Sequence, residues 1–307
     1  MRKIAPLMLL TAATLFSCTG GMKEFKTLKS GVKYKIVDDK KGDKKAVVGS
    51  MITMNITTKL KDSVLFESMK QNNGQPIETP VNAPMQSGDI MEVFPELTEG
   101  DSVIIEVPVD SLFKGGQPLP PFMKSGDNLS FYVKLISVKS KEEFEKSKLE
   151  ASKKQLEIDD KAINDYLTKN NLKANKTASG LYYIINTPGS GPNASAGKMI
   201  TMNYTGMLLD GTKFDSNEDP AFQHPQAFEF TLGQGMVIKG WDEGIALMNV
   251  GTKATLIIPS PLAYGERSMP GSEANPKGIP ANSPLVFNVE VKAIKDAPAE
   301  ASAPAVK

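Results

Sequence analysis

The sequence predicts an α+β protein with two related domains, each an antiparallel sheet wrapped on a short helix, joined by a helical connector. Three observations support this prediction. They are a repeat within the chain, a closing strand of alternating apolar residues in each half, and a charged segment of helical periodicity between the halves. A length of 307 residues also fits about two domains of ordinary size.

The repeat places similar residues in the same order in both halves. Met51–Thr57 reads MITMNIT, and Met199–Thr205 reads MITMNYT 148 residues later. Two further pairs of segments agree, namely Ser30–Ile36 with Ser179–Ile185 and Gly100–Pro108 with Gly251–Pro259. We therefore predict two copies of one unit, at residues 27–139 and 177–295.

Each half closes with a segment in which apolar and polar residues alternate, the pattern of a half-buried strand in an antiparallel sheet. The apolar face comprises Leu129, Phe131, Val133 and Leu135 in the first half, and Leu285, Phe287, Val289 and Val291 in the second. Upstream of the second strand, Val237–Met248 has apolar residues three and four apart. That spacing predicts a short amphipathic helix packed on the sheet.

Residues 140–176 predict the helical connector. A capping box begins at Ser140, with a glutamate three residues later. Three heptads are weak evidence for a coiled coil, because the second apolar position of the heptad is not filled throughout. A solvated connector helix, or two helices broken near Asp159, is therefore favoured over a stable dimerisation helix. The apolar stripe consists of Leu149, Leu156, Ile163 and Leu167.

The N-terminus predicts export. Arg2 and Lys3 precede an apolar run with the length of a signal-peptide core, and the following Leu15-Phe16-Ser17-Cys18 resembles a bacterial lipobox. We therefore expect a signal peptide at 1–17, lipid attachment at Cys18 and a tether at 18–26. An ordinary secretory signal with a stray cysteine is the alternative. The Ala- and Pro-rich tail at 296–307 is expected to be disordered.

Charge and residue types exclude several classes of function. The chain has 36 basic and 35 acidic residues, so no strong field favours nucleic acid as a partner. His224 is the only histidine, so histidine-based triads and metal sites lack their residues, and its side chain is expected to be exposed. We expect neither a metal nor a cofactor.

Residues 201–241 combine the only tryptophan, several aromatic residues and an acidic residue with apolar neighbours. Such a set suits an apolar pocket with a few polar groups at its rim. This block resembles the FKBP family of peptidyl-prolyl cis-trans isomerases. The resemblance covers roughly residues 179–295 and continues through Gly251, Leu262–Gly265, Gly278–Pro280 and Leu285–Phe287. It implies an FKBP-like fold for both copies of the repeat.

The resemblance implies an apolar pocket with Trp241 as the floor beneath a substrate proline. Ile279, on the loop after Tyr264, would lie over the bound peptide. The walls would be formed by Tyr204, Phe214, Phe228, Phe230, Val237, Ile238 and Phe287.

Polar groups at the rim follow from the same resemblance. The Tyr264 hydroxyl would donate to one substrate carbonyl, and the backbone N–H of Ile238 would donate to another. Asp215 would orient the polar edge of the pocket, because a carboxylate among apolar residues is costly without a partner or a task. Its alternative role is to cap a turn through Ser216 or Asn217.

The first half departs from this pattern, so we predict a degenerate FKBP-like domain with weak or absent activity. The differing or retained positions are Ile56 opposite Tyr204, about Ile90 opposite Trp241, Phe113 opposite Tyr264, and the pair Phe66 and Glu67 opposite Phe214 and Asp215. The second half departs in a longer, polar loop at Glu266–Lys277 and in Leu262, where an aromatic residue is expected. Both changes are expected to alter substrate preference.

These features predict a peptidyl-prolyl cis-trans isomerase that assists the folding of exported proteins. The expected location is the bacterial cell envelope, lipid-anchored through Cys18, with the outer membrane facing the periplasm favoured. Its partners would be proline-containing unfolded or exported polypeptides. A non-catalytic chaperone or peptide-binding lipoprotein is the alternative, and a homodimer through the connector helix is a third hypothesis.

Overall fold

The structure is a computed structural model that describes residues 21–113 and 118–297. The chain divides into two compact units, with the boundary between Lys146 and Ser147. The predicted signal peptide, Cys18 and nearly all of the predicted tail lie outside the described residues. Within the described residues, no helix is both long enough and apolar enough to cross a bilayer.

The first unit contains a seven-stranded antiparallel sheet. Its strands are β1 (Lys26–Thr27), β2 (Lys33–Asp38), β3 (Met51–Leu60), β4 (Ser63–Glu67), β5 (Ile77–Pro80), β6 (Ser102–Pro108) and β7 (Asn128–Lys139). Two single-turn helices, α1 (Ser68–Gln71) and α2 (Val109–Leu112), and two 3₁₀ turns, Ile90–Glu92 and Phe94–Glu96, connect them. The strand order is β1-β2-β6-β7-β3-β4, with β5 also paired to β3.

The second unit repeats this topology. Its strands are β8 (Asn175–Lys176), β9 (Tyr182–Thr187), β10 (Lys198–Leu208), β11 (Lys213–Ser216), β12 (Phe228–Thr231), β13 (Lys253–Ile258) and β14 (Leu285–Asp296). They follow the order β8-β9-β13-β14-β10-β11, with β12 also paired to β10. Helix α3 (Lys141–Lys169) precedes these strands and α4 (Lys239–Ile245) lies among them, with 3₁₀ turns at Pro220–Phe222 and Ser260–Leu262.

The matching strand order confirms the predicted repeat. A register shift interrupts the pairing of β3 between Thr53 and Met54 and that of β10 between Thr201 and Met202, at the same offset as the sequence repeat. The apolar face predicted for each closing strand is buried, with only Phe131 of its eight residues partly exposed. Alternation is interrupted at the start of β14, where Val286 on the opposite face is also buried, in the cluster that contains Ile163 and Leu167 of α3. A bulge at equivalent positions turns both long strands in the same way.

Helix α3 decides between the two forms of connector that the sequence left open. It is continuous through Asp159, as expected for one connector helix and not for two helices broken there, and the capping box at its start is confirmed by reciprocal hydrogen bonds between Ser140 and Glu143. Ile163 and Leu167 are buried against β9, β13 and β14 of the second unit. These two residues of the apolar stripe are therefore not available to a partner helix, whereas Leu149 is 56% exposed.

The predicted helix at Val237–Met248 is shorter in the structure, where α4 covers only Lys239–Ile245. Glycines set its distance from the sheet, because a Cβ atom on Gly240 would lie 2.4 Å from Ile258 Cγ2 and one on Gly244 would lie 2.8 Å from Leu256. The bare backbone therefore packs closely on β13. Trp241 lies between these two glycines in the sequence, and the close packing of the helix brings its side chain against the aromatic residues of the sheet.

Candidate active site

A cavity of about 740 Å³ lies in the second unit beside the aromatic face of the sheet. Its size is within the range of ligand pockets. Nine of the residues singled out from the sequence line it, and the structure therefore brings most of the predicted set together. They are Tyr204, Phe214, Asp215, Phe228, Val237, Ile238, Trp241, Tyr264 and Phe287.

Trp241 lies in the base of this cavity and is fixed by other rings. Its ring centroid is 5.1 Å from that of Phe287 and 5.2 Å from that of Tyr204, both edge to face. Phe228 approaches at 5.8 Å, also edge to face. The indole is only 5% exposed yet lines the cavity. Packing of this kind holds one aromatic surface in place before any ligand arrives.

Asp215 forms the polar rim together with two other side chains. The Tyr204 hydroxyl donates to Asp215 Oδ2 at 2.6 Å, and His224 Nε2 lies 2.7 Å from Asp215 Oδ1. Burial, and then the hydrogen bond to Asp215, raises the pKa of Tyr204 far above its ordinary value, so this phenol stays a donor. The turn after β11 is capped by Ser216 Oγ, which accepts from the backbone N–H groups of Glu218 and Asp219. Asp215 therefore does not serve as the turn cap.

Three donors of the cavity lining have no hydrogen-bond partner among residues 21–113 and 118–297. The indole N–H of Trp241 is buried. The other two are the Tyr264 hydroxyl and the backbone N–H of Ile238, which stands in extended conformation just before α4. Burial, and then the Asp215 charge, raises the pKa of Tyr264, so its hydroxyl keeps its proton. The Tyr264 hydroxyl and the Ile238 N–H are available to ligand carbonyls.

Two of the residues singled out lie elsewhere. Phe230 is only 2% exposed and sits behind the wall, where it stacks on Phe228 at 5.8 Å. Ile279 does not line the cavity above Trp241 and instead lines a neighbouring one. Phe230 therefore supports the wall from behind, and Ile279 belongs to an adjacent surface.

Comparison with known proteins identifies the family. The family profile for FKBP-type peptidyl-prolyl cis-trans isomerases matches residues 191–292, all in the second unit. The chain is 44% identical over 113 residues to peptidyl-prolyl cis-trans isomerase Fkbp12 of Drosophila melanogaster, which covers 36% of this chain and 95% of that protein. The chain belongs to the FKBP family.

Two further FKBP relatives show how much of the chain is shared. FK506-binding protein 1 of Saccharomyces cerevisiae is 46% identical over 106 residues, or 34% of this chain and 84% of that protein. FKBP-type peptidyl-prolyl cis-trans isomerase FkpA of Aeromonas hydrophila is 42% identical over 153 residues, or 49% of this chain and 52% of that protein. The chain thus spans most of the short FKBP relatives and about half of the bacterial one.

Sequence reasoning missed two contributors to this FKBP site. His224 was expected to be exposed, but it is half-buried and paired with Asp215, nine residues away across a loop. Gly206 lies on β10, where an added Cβ would be 2.6 Å from Phe214 and 2.7 Å from Phe287. Only a residue without a side chain lets both rings approach there. No spacing in the sequence indicates either contact.

The turn that presents Tyr264 is fixed from helix α3. Asp159 is 1% exposed, and its Oδ2 accepts the backbone N–H of Ser260 at 2.6 Å. The carbonyl of Ser260 in turn accepts the N–H groups of Ala263 and Gly265, which flank Tyr264. The helix is therefore structurally part of the FKBP site.

The counterpart positions in the first unit are built differently. Ile90 lies in a three-residue 3₁₀ turn rather than in a helix like α4, and Ile56 is buried at the position equivalent to Tyr204. Phe66 packs against the core of that unit. These positions provide neither an aromatic floor nor a phenol donor. That the first unit has weak or absent isomerase activity stays a prediction.

Proposed function

We propose that the second unit accelerates cis-trans exchange of X-Pro peptide bonds by binding the twisted amide in the cavity above Trp241. The single observation that supports this proposal is the combination of a fixed aromatic base with unpaired donors at Ile238 and Tyr264. A proline-containing polypeptide is the substrate class that the FKBP family treats in this way.

The chemistry needs no nucleophile. Amide resonance raises a barrier of about 18–20 kcal/mol to rotation about the C–N bond. When that bond is twisted the resonance is lost, and the amide becomes less polar. Transfer from water into a cavity with little water costs the twisted amide less free energy than it costs the planar amide. Such a cavity therefore favours the transition state over the ground state.

Each polar group has a distinct task in this proposal. The Ile238 N–H and the Tyr264 hydroxyl bind substrate carbonyls and so fix the peptide on either side of the rotating bond. Asp215, held by Tyr204 and His224, fixes a carboxylate at the rim, where it would orient the polar edge of the pocket toward the bound amide.

A refolding assay limited by proline isomerisation tests this function. We expect the soluble protein to accelerate refolding, and the double variant Tyr264→Phe with Asp215→Leu to lose about tenfold to a hundredfold in kcat/KM, the effect of one to two lost hydrogen bonds. Tyr183→Phe is the matched control, because Tyr183 packs near the core without lining the cavity. An unaccelerated reaction, or equal rates for the double variant and wild type, would contradict the proposal.

We further propose that the protein acts at the bacterial envelope, anchored through Cys18, where it assists exported polypeptides. The lipobox-like Leu15–Cys18 supports this location. We expect labelled palmitate to be incorporated by cells that express the wild-type chain and not by cells that express Cys18→Ser. A wild-type chain that stays unlabelled would remove the lipid anchor and leave the isomerase proposal untouched.

A further inference from the structure

A second cavity of about 480 Å³ adjoins the first in the same unit. The two cavities share Phe214, Asp215 and Tyr264 as lining residues. Its outer walls come from the loop that carries His224 and from the loop after Tyr264. A peptide whose proline sits above Trp241 would therefore place a neighbouring side chain in this second cavity.

The wall after Tyr264 is an ordered hairpin. Met269 and Ile279 exchange backbone hydrogen bonds at 2.8 and 3.0 Å. Asn275 is 4% exposed, and its side-chain amide donates to the carbonyl of Gly278. Gly278 has a φ of +65° and no room for a Cβ, which closes the turn tightly. The long polar segment Glu266–Lys277 thus builds a defined wall.

Acidic side chains outnumber basic ones in the lining of this cavity. Two carboxylates line it, those of Asp215 and Glu273, and Glu273 has no ion pair or hydrogen bond within the part of the chain that the structure describes. His224 is the only basic residue of the lining, and its ring pairs with Asp215 at 2.7 Å, which leaves the Glu273 carboxylate without a basic neighbour in the lining. The other basic residues of the segment, Arg267 and Lys277, do not line the cavity.

We propose that this second cavity takes the side chain of a lysine or arginine next to the substrate proline. The inference rests on the proposed isomerase function and specifies its substrate class. The aliphatic stem of a basic side chain would lie along Phe214 and Ile279, while its charge would meet Asp215 and Glu273. The hairpin then sets sequence preference, whereas the cavity above Trp241 recognises the proline.

The test measures cis-trans exchange of short X-Pro peptides by NMR exchange spectroscopy with the whole protein. The peptides carry lysine, norleucine or glutamate immediately before or immediately after the proline. We expect the lysine peptide at one of these positions to exceed its norleucine match by about two- to fivefold in kcat/KM, the effect of a solvent-exposed charge pair. The ratio should fall toward one as salt is raised.

Two single-charge variants locate the effect. Glu273→Gln should lower the lysine-to-norleucine ratio, whereas Glu266→Gln should leave it unchanged, because Glu266 pairs with Lys148 outside the cavity. A wild-type ratio of one at both positions, or equal changes in both variants, would overturn the inference. If no peptide is accelerated, the isomerase function itself fails, whereas accelerated norleucine peptides without lysine preference leave that function standing.

Discussion

Replacing Trp241 with alanine is expected to produce the largest loss of both stability and activity. The indole is almost fully buried and contacts the rings of Tyr204, Phe228 and Phe287. Its removal takes away buried apolar surface and leaves a void between these rings, which costs about 3–5 kcal/mol in the free energy of unfolding. Isomerase activity should become undetectable, because the base of the cavity is gone. Denaturant unfolding followed by circular dichroism measures the first effect.

A core variant separates the two losses. Leu256→Ala removes a fully buried side chain of the same core that does not line the cavity. It should cost about 2–5 kcal/mol in unfolding free energy. Under conditions where both variants are folded, the leucine variant should keep isomerase activity near the wild-type rate. Similar activities for Trp241→Ala and Leu256→Ala would contradict the assignment of Trp241 to the site.

Asp159→Leu is expected to have the second largest effect, although Asp159 lies outside the cavity on helix α3. Its carboxylate accepts from the backbone of Ser260 and from the Gln155 side chain at 2.7 Å. Leucine fills a similar volume but leaves the buried N–H of Ser260 unpaired, which costs about 2–3 kcal/mol. The turn before Tyr264 then loses the hydrogen bond that anchors it to α3. Both kcat/KM and the melting temperature should therefore fall.

The variant Asp159→Asn provides the control, since its amide oxygen can still accept from Ser260. It should retain most of the stability and activity lost in the leucine variant. A double-mutant cycle tests the route, because an effect that passes through Tyr264 should shrink when Asp159→Leu is combined with Tyr264→Phe. Independent, additive losses in kcat/KM would show that Asp159 stabilises the unit without positioning Tyr264.

Much of the fold could be predicted because it depends on regular patterns. Alternation along β7 and most of β14 and the repeat of Met51–Thr57 at Met199–Thr205 reflect period-two burial, which is typical of strands that cover a core with one face. The sequence left open whether α3 breaks near Asp159-Asp160, because two adjacent aspartates are typical of a helix end. In the structure, buried hydrogen bonds to Ser260 and Gln155 satisfy the Asp159 carboxylate.

The candidate site likewise has a part that the sequence indicates and a part that depends on tertiary packing. Phe228 and Phe230 are two residues apart on one strand and so share a face, which the sequence indicates. Which of the two lines the cavity depends on how the surrounding residues pack: Phe228 lines it, whereas Phe230 is buried behind it. Likewise, the position of Ile279 depends on how the hairpin from Met269 folds, and irregular loops carry no periodic signal.

The sequence by itself determined the repeated α+β units, the aromatic composition of the site and the family to which the chain belongs. Tertiary structure alone decided that His224 meets Asp215, that Gly206 makes room for two rings, and that Asp159 holds a turn 101 residues away. The physical reason is that burial patterns repeat along a chain, whereas hydrogen bonds across loops depend on a backbone path set by the whole packed domain.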